Sequence, residues 1–391
     1  MVRRLSALLV CLGLGVTACG GSSKPEPTAK TKKTERKSLL TQAREQVRES
    51  NIDEADGLYA QAYEVDANFE VLSERISFLS RAGRNAKAVE VAKEYYDGNA
   101  TDAKGYALYA EALLASNKGQ EALEVAEALI SLDVESPAGQ EKKGRALILL
   151  DKADEGVTAL RTAVQMDPQN AMSHLALGNA LQKLGQVNDA ALEFRAALKA
   201  DSDNVEAYVM LGGALRQQNE LQESRQNLDK AIELDKENGR AWFELGLLYN
   251  QQGKQQEAES ALSKAVQKSP NESLFWYAYG EIYRLQQRDD EALNAYRRAV
   301  DLDPPHPKAI SKLGALLVER KMFEEAETLL IQSIRRNGKN AAAYFNLGLV
   351  YAAQKKKQLA LENYEKYLSI APKSDPDRAA AQRAVSQLKG R

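Results

Sequence analysis

Two histidines and two cysteines in 391 residues leave little from which to build a metal site or a nucleophile–base pair. Aromatic residues make up only 6% of the chain, so one large aromatic core is not expected. Neither sign of charge dominates, with 53 Lys+Arg against 55 Asp+Glu. That balance gives no global basic field to hold a polyphosphate, which argues against nucleic acid as a partner. These shortages together predict a protein that is not an enzyme, with no cofactor, no metal and no small-molecule substrate.

The apolar run from Leu5 to Val16 falls short of the ~20 residues that span a bilayer as a helix. It follows a basic start, Val2-Arg3-Arg4, and ends in small residues, which is the pattern of a secretory signal. Val16-Thr17-Ala18-Cys19 resembles the bacterial lipobox. The resemblance implies a signal peptide over 1–18, cleavage before Cys19, and diacylglycerol and acyl chains on that residue, an anchor that hardly dissociates. Gly20 follows the cysteine rather than an acidic residue, which by resemblance to proteobacterial lipoproteins implies the outer membrane, facing the periplasm. Cleavage would remove Cys11 and the thioether to diacylglycerol would block Cys19, leaving neither free thiol nor disulfide. Residues 19–37 read as the acylated cysteine and a flexible basic linker, rich in Gly, Ser, Pro, Thr and Lys. The linker is expected either to lie against anionic head groups or to act as a solvated spacer.

The rest of the chain repeats. Glycine recurs at Gly144, Gly178, Gly212, Gly246, Gly280, Gly314 and Gly348, always 34 residues apart. Twelve residues after these positions stand Gly156, Ala190, Ser224, Ala258, Ala292, Ala326 and Ala360, all small. Within one repeat, Trp242, Leu245, Gly246 and Tyr249 fall on one face of a first helix. Gly253 breaks it, and Ala258, Ala261, Leu262 and Ala265 make the stripe of a second. Small residues at Gly246 and Ala258 allow close approach, and Pro270 ends the unit.

The spacing of these residues resembles the tetratricopeptide repeat, with Trp242 and Trp276 in its Trp place and Tyr249, Tyr283 and Tyr351 in its Tyr place. The resemblance implies an all-α solenoid, a right-handed superhelix of about ten helix-turn-helix repeats over 38–374. Asp375-Pro376-Asp377 reads as an N-cap with proline at the first helical position, opening a capping helix over 375–391.

In this family the concave face is lined by the first helix of each repeat. The fifth place of successive repeats gives Leu175, Val209, Phe243, Tyr277, Ser311 and Phe345, and with Leu247 and Leu349 these predict a mostly apolar protein-binding groove. The alternative is that the fifth place is apolar for local packing alone. A carboxylate clamp of the chaperone-tail type is not expected, because Leu175 and Met210 stand where Lys and Asn are needed beside Asn179. A ladder of groove asparagines is also missing, with only Asn346 in its place. His174 is expected to be a packing residue, and Lys355-Lys356-Lys357 a solvated turn. Were there an acid–base pair after all, Glu244 and Glu281 on the groove wall would be its first candidates.

A lipobox ahead of such repeats resembles the pilotin lipoproteins of type IV pili, from which this chain departs in being longer. The resemblance implies a lipid-anchored periplasmic scaffold whose partners are envelope proteins, namely secretin subunits. The alternatives are a scaffold of exopolysaccharide export, with export porin subunits as partners, or an adaptor for cell-wall or gliding-motility proteins.

Overall fold

The computed structural model describes residues 29–304 and 306–390. The signal peptide over 1–18, Cys19 and the start of the linker lie outside the described residues. Twenty-one helices and no strand occur among the described residues, in two compact units that meet in sequence at Asn117 and Lys118.

In the first unit, α1 (Ala29–Arg48) packs on α2 (Ile52–Val65), and α3 (Phe69–Arg81), α4 (Asn85–Gly98) and α5 (Ala103–Ala115) follow in order. The second unit opens with α6 (Gly119–Leu132), α7 (Pro137–Leu149) and α8 (Ala153–Met166). It continues through α9 (Ala171–Lys183), α10 (Val187–Ala200), α11 (Val205–Gln217), α12 (Leu221–Leu234), α13 (Gly239–Gln251) and α14 (Gln255–Lys268). Next come α15 (Ser273–Leu285), α16 (Asp289–Leu302), α17 (Pro307–Glu319), α18 (Phe323–Arg336), α19 (Ala341–Ala353), α20 (Lys357–Ile370) and α21 (Arg378–Leu388). From α7 onward, each odd-numbered helix as far as α19 pairs with the even-numbered one after it and stacks on the pair before.

Three local devices recur with the repeat. Asparagine starts the first helix of several pairs: Asn170, Asn204, Asn238 and Asn340 accept hydrogen bonds from the backbone N–H of Ser173, Ala207, Ala241 and Ala343, respectively, satisfying one of the open donors of the first turn. The turn inside each pair places one residue in the left-handed region, every 34 residues from Gly83 to Lys355. Glycine takes that place only at Gly83, Gly185 and Gly253; elsewhere Asn117, Asp151, Asn219, Gln287, Lys321 and Lys355 adopt it with a side chain. The third device is the glycine on the first helix, which faces the residue sixteen positions later on the second. A Cβ would lie 2.4 Å from the Phe194 ring at Gly178, 2.6 Å from Leu228 at Gly212 and 2.7 Å from Leu262 at Gly246. These fully buried side chains fill the crossing that the glycine opens.

The side chain in the Trp place forms a further tie. Trp242 Nε1 donates to the Lys236 carbonyl at 3.1 Å and Trp276 Nε1 to the Pro270 carbonyl at 2.8 Å, each six residues upstream across the inter-repeat turn. Tyr106 makes the same six-residue bond to the Ala100 carbonyl at 3.0 Å. His174 completes the series, with Nε2 3.1 Å from the Pro168 carbonyl and Nδ1 2.7 Å from Glu193.

Two expectations need correction. Residues 29–37, assigned above to a flexible linker, are the first turns of α1. The last Gly and Pro of the stretch come before Ala29, and the lysines, Glu35 and Arg36 that follow are good helix formers despite their charge. Arg36 also pairs with Asp66, fastening this end of α1 to the turn after α2. At the other end, Pro376 is not the first helical residue, because α21 starts at Arg378. Asp375 organises the turn instead, accepting from the Asp377 N–H at 3.0 Å and from the Tyr367 hydroxyl at 2.6 Å. Ala381, Ala384, Val385 and Leu388 of α21 then cover the last apolar cluster of the array.

Candidate partner-binding cleft

The first helices of three successive repeats, α13, α15 and α17, form the walls of an open cleft of about 560 Å³ in the second unit. Leu247, Tyr277 and Ala315 give it an apolar floor, and Leu285, 54% exposed, stands at its rim. Glu281 lies at the centre. It accepts from Lys312 Nζ at 2.9 Å and from the Tyr296 hydroxyl, so its charge is matched inside the cleft. Arg284 bridges Asp289 at 2.6 Å and Glu319 at 3.3 Å on one wall. Burial first, and the Glu281 carboxylate second, push the Tyr277 phenol up to about 12, so the hydroxyl is a neutral donor at neutral pH. The cleft therefore presents apolar surface with one paired charge at its centre and others on a wall, and the Asn250 amide is among its polar lining groups. Such a surface accommodates an apolar side chain of a partner segment better than a strongly charged one.

The eight groove positions divide sharply. Tyr277, Leu247, Leu349 and Ser311 are half-buried, and the first two line the cleft. Leu175, Val209, Phe243 and Phe345 are not groove floor. They are buried in the core, Val209 with 2% and Phe243 with 4% of their surface exposed. The Phe243 ring stacks on Phe275 of the next first helix at 4.4 Å between centroids, and Phe345 packs against the Tyr364 and Tyr367 rings. The fifth place thus differs between repeats: Phe243 faces the neighbouring repeat, Phe345 faces the second helix of its own pair, and Tyr277 lines the cleft, which is completed four residues after the fifth place by Leu247, Glu281 and Ala315. That later place varies in character from repeat to repeat, through Arg145, Asn179, Gly213, Leu247, Glu281, Ala315 and Leu349.

Other singled-out residues have structural partners. Glu244 is held by Arg216 at 3.2 Å, and Asn346 is buried against Gly314, donating to the Ala342 carbonyl at 2.8 Å. Lys355 occupies the left-handed turn position, and Lys356 lies over the Tyr351 ring, 5.4 Å from its centroid. His306 caps α17, its Nδ1 accepting from the Ala309 N–H at 3.0 Å. Glu141 was missed. It holds the fifth place of its repeat as a buried carboxylate, 2.7 Å from Lys142 Nζ and 2.9 Å from Arg145 Nη1. No group of three potential metal ligands, and no helix long and apolar enough to cross a membrane, occurs among the described residues.

Comparison with known proteins agrees with this architecture. The chain matches the tetratricopeptide repeat family over residues 109–171, 175–236 and 217–273, and the TPR domain of cytochrome c-type biogenesis protein H over 259–378. No curated protein matches it in sequence. Among solved structures, yeast Tom70 is similar at a TM-score of 0.54 and 16% identity, over 92% of this chain and 96% of that one. The Cut9–Hcn1 hetero-tetramer of the APC/C is similar at 0.54 and 15% identity, over 90% and 76% of the two chains. The human IFIT1 dimer with PPP-AAAA reaches 0.53 at 16% identity, over 90% and 96%. At such identities these likenesses show the fold alone.

The helices, the repeat and the matches define an all-α array of tetratricopeptide repeats with a C-terminal capping helix. The chain is in this sense a protein–protein interaction scaffold.

Proposed function

We propose that the chain is a lipid-anchored scaffold of the periplasmic face of the outer membrane, which holds an apolar segment of an envelope protein in the α13–α15–α17 cleft. The observation that carries this reading is the cleft itself: an apolar floor at Leu247, Tyr277 and Ala315 with its central Glu281 already paired to Lys312. The anchor rests on Val16-Thr17-Ala18-Cys19 and the short apolar run before it. The scaffold acts without turnover. Glu244 and Glu281, the carboxylates best placed for acid–base work, are engaged by Arg216, Lys312 and Tyr296.

The partner we infer is a secretin subunit of a type IV pilus, in keeping with a lipobox ahead of tetratricopeptide repeats. A second reading draws on the match over 259–378, which includes α15 and α17, and assigns the chain a role in c-type cytochrome biogenesis. Crosslinked pull-down of the intact lipoprotein from its native envelope, followed by mass spectrometry, separates the two. A secretin among the partners supports the first, cytochrome maturation proteins support the second, and synthase or porin subunits of polysaccharide export contradict both. A Cys19→Ala chain tests the anchor: it is expected to lose acylation and leave the membrane fraction, and unaltered membrane retention would contradict that part.

A further inference from the structure

The charge of the chain is balanced overall but not along α1. Seven cationic side chains stand against two glutamates between Ala29 and Arg48, while the whole sequence carries slightly more acid than base. At 100° per residue, Lys30, Lys33, Lys37, Arg44 and Arg48 fall within about 60° of arc, one stripe about 27 Å long. Glu35 and Glu45 lie on other faces of the helix. Asp66 holds Arg36, which lies off the stripe, and Glu74 holds Arg44 within it in a two-pronged bond at 2.8 Å, so the stripe's remaining charge is that of Lys30, Lys33, Lys37 and Arg48. Lys30, Lys33, Lys37 and Arg48 are exposed, and no ion pair holds them among the described residues. Ala43 is buried where α1 packs on α2, while Lys30, Lys33, Lys37 and Arg48 stay at the surface.

We propose that this stripe is a docking face for an anionic lipid surface, on which α1 lies flat. The inference rests on the lipid-anchored reading above for its geometry. Cys19 stands eleven positions before Lys30, so even a fully extended chain would keep the start of α1 within about 40 Å of the acylated residue. An acyl anchor places the stripe at the head groups, and the stripe adds attraction that scales with cation number and decays within a Debye length. The pair of signals would fix the orientation of the first unit relative to the membrane, which an anchor on a short tether alone does not.

The test uses the mature-length chain 19–391 with Cys19→Ala, which lacks acyl chains and signal peptide but keeps every described residue. It is sedimented with vesicles of phosphatidylcholine containing phosphatidylglycerol, and with pure phosphatidylcholine. Binding is expected only to the anionic vesicles, with release at high salt. K30Q/K33Q/K37Q should weaken it at least tenfold, since each lysine near such a surface contributes about fivefold, while circular dichroism and melting temperature stay unchanged. Equal binding to both vesicle types, undiminished binding by the triple variant, or equal retention on heparin would overturn the proposal. The anchor is read separately from the mass of Cys19 in the native envelope. An acylated Cys19 with no vesicle binding sinks the stripe alone, whereas vesicle binding with an unmodified Cys19 sinks the anchor alone.

Discussion

Gly280 on α15 and Tyr296 on α16 are in contact where the two helices cross, and a Cβ added at Gly280 would lie 2.6 Å from Cε1 of the ring. Tyr296 is fully buried and its hydroxyl is held by Glu281, so the ring has no room to give. Gly280→Ala is expected to destabilise the second unit by about 1–3 kcal/mol through overpacking, which outweighs the helix propensity gained. Gly57, on α2, has nothing within 4 Å of its Cβ position. Gly57→Ala is expected to stabilise the first unit by about 0.5–1 kcal/mol. Thermal or urea melts of the two variants should shift in opposite directions.

The left-handed turn position offers a second contrast. Lys321 adopts a φ of 58° where Gly253, two repeats earlier, has 75°. A side chain in that region costs about 1 kcal/mol or more, and glycine returns part of it as backbone entropy. Lys321→Gly is expected to raise stability by about 0.5–1 kcal/mol, and Gly253→Lys to lower it. Denaturant titration reads both.

Much of this is legible in the sequence. The 34-residue glycine period marks the helix crossings, and the residue sixteen positions on fills them at Gly144, Gly178, Gly212, Gly246, Gly280 and Gly348, while at Gly314 Asn346 of the next repeat takes that part. The fifth place misled because an apolar residue on a repeat helix can face either a partner or the next repeat. Phe243 has Phe275 across the interface, and only the stacking of successive first helices decides that it turns inward. The start of α1 misled for another reason. A lysine-rich stretch without apolar periodicity reads as a tether, yet it forms helix where Leu39, Leu40 and Ala43 further along supply a packed face.

That inward turn makes a prediction of its own. Phe243→Ala should cost about 3–5 kcal/mol of stability, as expected for emptying a buried aromatic site. Leu247→Ala, at the half-exposed cleft floor, should cost well under half as much. Equal losses in chemical melts would contradict the division between core and cleft.

Tyrosine ionisation sets the alkaline limit. Burial pushes Tyr364 up to about 12, and burial with the Glu281 carboxylate does the same for Tyr277. Their unfolded phenols ionise near 10, so the stability they contribute is complete below about pH 10 and is lost as pH rises toward 12. A tyrosinate absorbance titration should show a late-titrating fraction that coincides with loss of helicity. Tyr364→Phe should flatten the fall in melting temperature across that window.

The most direct test of the account is a photocrosslinking residue placed at Ala315, on the cleft floor, in the lipoprotein in its native envelope. The account predicts a discrete adduct with an envelope protein that disappears when Leu247→Asp is added to the folded chain. An adduct indifferent to Leu247→Asp, or one formed equally from Lys264 on α14, outside the cleft, would contradict it.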